Sequence, residues 1–139
     1  MTAYDYSIAA ERPAYSQEKS WVLKRYLDFT KTAAVASDVW TIAHIPINQL
    51  LVASYCARVT SAGGVCTVTV ASVSNAHNLE ANLDLNGTGF IAINDVVTEF
   101  FPAVDTIAVT INNSNTAAKF WLVFNFIDLS ESANHLVNL

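Results

Sequence analysis

From Trp21 onward, apolar and polar positions alternate with a period of two, the spacing that sends successive side chains of an extended strand to opposite faces. Trp21, Leu23, Arg25, Leu27 and Phe29 alternate with Val22, Lys24, Tyr26 and Asp28 and predict a first strand. Ser37 to Ile45 predicts a second, stopped by Pro46, with Ile47-Asn48 as the turn. Gln49 to about Ser61 predicts a long third strand with Leu51, Ala53, Tyr55, Ala57 and Val59 on one face. Gly63-Gly64 predicts a hairpin into a fourth, Val65 to Val73, where Cys66, Val68 and Val70 alternate with Thr67 and Thr69. After the polar residues 74–82, Leu83 to Leu85 and Phe90 to Ile93 flank the turn Asn86-Gly-Thr-Gly89. Thr106 to Ile111 and Lys119 to Leu129 read as a closing hairpin around residues 112–116. About eight short strands and no convincing helix predict an all-β fold, an eight-stranded antiparallel jelly-roll β-sandwich over residues 21–130.

The last strand departs from this pattern, because it is apolar on both faces. Phe120, Leu122, Phe124 and Phe126 share one side; Trp121, Val123, Ile127 and Leu129 share the other, broken only by Asn125. A strand of an antiparallel sheet in a lone domain needs one apolar face, since water covers the other. The second face therefore predicts an oligomer interface made by Trp121, Val123, Asn125, Ile127 and Leu129.

Composition points the same way. Of 139 residues, 53% are hydrophobic and only 14% charged, little to clothe an independent monomer and suited to a subunit buried by copies of itself. The net charge is −5 and no basic stripe exists, which argues against nucleic-acid binding. No apolar run approaches the length of a membrane span, and Met-Thr-Ala-Tyr-Asp-Tyr at the start lacks a basic region followed by an apolar one, so a soluble chain made in a reducing compartment is expected. Residues 1–20 differ from the remainder: Tyr4, Tyr6, Ile8 and Tyr15 are spread among charged and small residues with no sustained period, and Pro13 favours an extended path. These residues predict an extended N-terminal arm anchored by its tyrosines against a neighbour or along its own oligomer. Residues 131–139, with Leu136, Val137 and Leu139, form a C-terminal tail.

Candidate chemistry is sparse. His44, His77 and His135 lie in different regions without the paired spacing a metal-binding barrel uses, so no metal and no cofactor is expected. Asp84, Asp95, Glu99 and Asp105 are dispersed on or beside loops, where solvation of loop ends accounts for them better than a glycosidase pair. Asp84-Leu-Asn86-Gly87 lacks the later acidic ligand of a calcium loop. Cys56 and Cys66 have no partner His; the expected hairpin would set them opposite Ala71 and Ser61, too far apart to bridge, so free structural thiols are expected. No serine sits in Gly-x-Ser-x-Gly. Trp40 and Trp121 could form a sugar-stacking platform, but both lie mid-strand, where subunit packing is the commoner use.

The succession DVWTIAHIPINQLLVASYCARVTSAGGVCTVTV, a polar loop, then AVDTIAVTINNSNTAAKFWLVFNFIDL resembles small jelly-roll structural proteins of tailed bacteriophages, the capsid decoration (cement) proteins and related head or tail appendages. The resemblance covers roughly residues 37 to 130. It rests on Ile45-Pro46-Ile47-Asn48, Leu50 to Val59, Asp105 to Thr110 and Phe120 to Leu129. Where such proteins often place Gly-Asp after the fourth strand, this chain has Ala71-Ser-Val-Ser-Asn75. The resemblance implies a non-enzymatic virion component made in the host cytoplasm. It would be a homotrimer on the capsid surface, bound to the major capsid protein, with the arm residues Tyr4, Tyr6, Ile8 and Tyr15 contacting the shell. The alternative is a receptor- or glycan-binding module of a fibre or tail, with its binding loop around Asn75 to Asn86.

Overall fold

The computed structural model describes residues 19–74, 77–93, 95 and 98–130. Residues 1–18 of the expected arm, with Tyr4, Tyr6, Ile8 and Tyr15, and the expected tail 131–139 lie outside them, while Lys19 and Ser20 open the first strand. The described residues form nine strands: β1 (Lys19–Asp28), β2 (Val39–Ile45), β3 (Gln49–Thr60), β4 (Thr67–Ser72), β5 (His77–Asp84), β6 (Gly89–Ala92), β7 (Glu99–Phe101), β8 (Asp105–Ile111) and β9 (Lys119–Asp128). They pair antiparallel in two sheets. One runs β1-β9-β3-β6, with β7 also on β3; the other runs β2-β8-β4-β5. This is the strand order of a jelly roll, the expected fold. The ninth strand arises because one edge is split: β6 and β7 pair with opposite ends of β3.

Pairing between the strands corrects several sequence expectations. Gly63-Gly64 does not close a hairpin, because β3 and β4 lie in different sheets. Likewise β8 and β9 lie in different sheets rather than forming the expected hairpin around residues 112–116, and the turn at Asn86-Gly87 leads from β5 across to β6 in the other sheet. The polar stretch 74–82 instead contains most of β5, which folds back on β4, and buries Leu79. Loops of several residues cross the roughly 10 Å between packed sheets as readily as they turn within one. At the β2–β3 corner this takes only residues 46–48, helped by Asn48, whose left-handed backbone (φ 57°) a short polar side chain tolerates.

The core lies between the sheets. Trp21 and Leu23 of β1, Leu51 and Cys56 of β3, and Phe120, Leu122, Phe124 and Phe126 of β9 meet Val68 and Val70 of β4 and Ile107, Val109 and Ile111 of β8. The β9 assignment of faces matches the sequence expectation: the four alternate residues from Phe120 to Phe126 are fully buried. Phe126 stacks on Trp21 with centroids 4.7 Å apart, and Phe120 meets Phe29 edge-on at 5.4 Å. Truncating one such Phe to Ala should cost roughly 3–5 kcal/mol. In β3 a register shift between Leu51 and Ala53 changes the phase, so Leu51 is buried while Ala53, Tyr55 and Ala57 keep their common face on the other side.

Three polar devices brace the sandwich. The buried Gln49 side chain accepts from Trp21 Nε1 at 2.7 Å and donates to the Asp128 carboxylate at 2.9 Å, linking β1, β3 and β9. Arg25 points into the open side between β1 and β2, where its Nε donates to the Ile42 carbonyl at 2.6 Å. At the opposite end, the Asn115 amide donates to Ala62 O while its oxygen accepts from Ala117 and Ala118 N–H.

Candidate oligomer face

The outer surface of the β1-β9-β3-β6 sheet gathers the residues that sequence patterning singled out. Because β9 is central, its Trp121, Val123, Asn125 and Ile127 stand between β1 and β3. One row across the sheet reads Tyr26, Trp121, Ala57, Phe90; the next reads Lys24, Val123, Tyr55, Ala92. A third holds Val22, Asn125 and Ala53, and a fourth Ser20, Ile127, Leu50 and Phe100. Trp121, Tyr26 and Phe90 are 38%, 42% and 65% exposed. Leu129, just past the end of β9, is exposed and donates its N–H to Asn48 O at 2.8 Å.

Small and large residues alternate on this surface. Tyr26 and Trp121 tilt against each other at 4.9 Å on one side of Ala57, and Tyr55 and Phe90 do so at 5.2 Å on the other. Trp121 and Phe90 thus flank the small Ala57 on its two sides. Within these four rows Lys24 carries the charge, and Asn125 is satisfied in the chain itself, donating to the Tyr55 hydroxyl at 2.7 Å. Contiguous apolar surface of this kind marks an interaction face.

Patterning pointed to the β9 residues but not to Tyr26, Tyr55, Phe90 or Phe100. On β1 the charged Lys24 interrupts the outer face, and β6 is four residues long, too short for alternation to register. The neighbourhood of these aromatics to Trp121 exists only through pairing. Trp40, the other candidate for a sugar platform, is partly buried edge-on to Phe29 at 5.3 Å, far from a platform geometry.

The remaining candidates take structural places. Asp105 is not a solvated loop end: it is buried, and its Oδ1 accepts from Ser74 and Thr106 N–H, both at 2.7 Å. Asp84 accepts from Asn86 N–H in a turn, and Asp95 accepts from Ala81 N–H at the β5 edge. Cys56 and Cys66 are free and buried. Burial pushes the Cys56 thiol up to about 12, against a weaker pull from Arg58, and raises Cys66 in the same direction, assisted by Asp84. His44 is exposed on β2, and no group of three His, Cys, Asp or Glu that could hold a metal occurs among the described residues. No helix among them is long and apolar enough to cross a membrane.

No family model and no curated protein matches the sequence. Among solved structures, a chain of the acidic stable capsid structure of Helicobacter pylori bacteriophage KHP30 superposes with a TM-score of 0.60, covering 80% of this chain and 89% of that one. The likeness is one of fold. The two sequences are 15% identical.

Proposed function

We propose that the chain is a non-enzymatic virion structural protein, a capsid decoration (cement) protein that binds and stabilises a phage head shell as a homotrimer. The observation that carries this reading is the exposed aromatic face around Trp121, Tyr26 and Phe90 on a jelly roll whose fold recurs in a phage capsid structure. That face, with Trp121, Val123, Asn125, Ile127 and Leu129, packs against copies of the same chain. Covering a Trp and two or three aliphatic side chains per subunit contributes on the order of 5 kcal/mol before association costs. The arm carrying Tyr4, Tyr6, Ile8 and Tyr15 reaches onto the shell surface or an adjacent subunit, and the major capsid protein is the partner beneath. The protein is made in the host cytoplasm and ends on the capsid surface, with no nucleic acid, membrane or cofactor involved. Quantitative mass spectrometry of purified virions, with separated heads and tails, tests the reading. Head-associated copies in a fixed ratio to the major capsid protein are expected; a few copies confined to the tail would favour the receptor- or glycan-binding alternative instead.

A further inference from the structure

A sheet edge left open is a template for another strand, and folded proteins blunt such edges with bulges, charges or short strands. Three of the edges here are blunted. β2 is bulged between Thr41 and Ala43, and the Ile42 carbonyl there is taken by Arg25. β5 has register shifts against β4, and at Ala81 both backbone groups are taken by side chains, the N–H by Asp95 and the carbonyl by Thr69. The edge beside β3 is split into β6 and β7, of four and three residues.

β1 is different. It runs ten residues against β9 without a register shift. Phe29 N–H bonds to Ala118 O on the β9 side, so by antiparallel alternation the odd residues face the ladder and the even ones, Ser20, Val22, Lys24 and Tyr26, face outward. Of these outward groups, the Lys24 carbonyl accepts from Arg25 Nη1 at 2.9 Å. Arg25 spends its contacts on two carbonyls, and no carboxylate among the described residues bonds to it. The outer side of the same strand presents Tyr26 beside Trp121 and Val22 beside Asn125.

We propose that the open edge of β1 receives residues 3–9 of a neighbouring copy's N-terminal segment as an added antiparallel strand. The inference rests on the oligomeric reading above and names what the arm does within it. Ala3-Tyr-Asp-Tyr-Ser-Ile-Ala9 alternates Tyr4, Tyr6 and Ile8 with Asp5 and Ser7, an amphipathic pattern too brief to define an element alone. With Tyr6 opposite Lys24, Ile8 falls opposite Val22 and Tyr4 opposite Tyr26, extending the aromatic row outward from Trp121. The same register sets Asp5 opposite Arg25, where a carboxylate compensates the guanidinium. Residues 10–18, with Pro13 favouring an extended path, reach about 30 Å, enough to cross to an adjacent subunit rather than fold back.

Cysteine trapping in the full chain tests this. A directly hydrogen-bonded antiparallel pair sits about 5.5 Å apart at Cα, within disulfide reach, and the native Cys56 and Cys66 are buried and do not compete. Under mild oxidation, Ile8→Cys with Val22→Cys should give covalently linked chains on non-reducing gels, whereas Ser7→Cys with Val22→Cys, on opposite faces, should not. Amide exchange at Val22 and Tyr26 should be slow, and at least tenfold faster in Asp5→Arg. A bridge confined within one chain, or no bridge in a protein that light scattering shows to be oligomeric, overturns the exchanged strand and leaves the oligomeric reading standing. A monomer by light scattering overturns both.

Discussion

The Asn125 side chain donates to the Tyr55 hydroxyl at 2.7 Å, across the boundary between β9 and β3. The single polar break in the outer face of β9 is therefore answered within the subunit, and the amide need not find a partner across a symmetry axis. The pair also holds the Tyr55 ring where it meets Phe90. Tyr55→Phe and Asn125→Ala are each expected to cost about 1 kcal/mol. In a double-mutant cycle by urea unfolding, the two should be less than additive, with a coupling of about 0.5–1.5 kcal/mol; strict additivity would deny the bond.

Trp121 is the residue whose alteration should separate folding from assembly. It is 38% exposed, on a face opposite the buried phenylalanines, so Trp121→Asp should leave the far-ultraviolet spectrum of the sheet intact. Size exclusion with light scattering should then report dissociated subunits. An unchanged, well-folded oligomer would exclude this face as the contact.

Asp105 should show a graded response. One carboxylate oxygen accepts two backbone N–H groups, while Oδ2 is buried without a hydrogen-bond partner among the described residues. Asp105→Asn keeps the accepting oxygen and is expected to cost less than 1 kcal/mol. Asp105→Ala strands two partly buried donors and should cost about 1–3 kcal/mol, read as a drop in the denaturation midpoint.

Cys56 gives a pH signature. The folded thiol holds its proton up to about 12, above the ordinary 9.0, because the site is buried. An unfolded chain releases that proton near pH 9, so the contribution is intact below pH 9 and stability falls as pH rises from about 9 to about 12. Comparison of unfolding midpoints over that window should show a shallower decline in Cys56→Ala than in the parent chain. At pH 8, a disulfide reagent should modify the native protein only as fast as it unfolds.

Most strands were legible in the sequence, β5 and β7 excepted; the partnerships between them were not. Alternation located β1, β2, β3, β8 and β9 to within a few residues, because each has an inner face of large apolar side chains. Alternation carries no mark of which sheet a strand joins, and turn residues such as Gly63-Gly64 serve a crossing as well as a hairpin. The same limit applied to the candidate face. Its β9 residues stood out because β9 is apolar on both sides, but Tyr26 and Phe90 become neighbours of that strip only through pairing with β9 and β3. Asp105, beside a loop, carried no sign of burial, since its two donors come from backbone that side-chain patterning does not see.

The contact of Gln49 with Trp21 and Asp128 resolves an ambiguity that β9 creates for itself. Shifting a strand by one residue exchanges its two faces. In most strands that error exposes the core and is rejected at once. In β9 it would bury Trp121, Val123 and Ile127 in place of the phenylalanines, and hydrophobicity alone would barely object. The same slip would turn Asp128 outward, taking the carboxylate from the buried Gln49 amide, and would turn Asn125 inward away from the Tyr55 hydroxyl, a penalty of about 1–3 kcal/mol for a polar group left unanswered in the interior. These polar side chains thus act as a reading frame for a strand whose greasiness would otherwise be readable two ways.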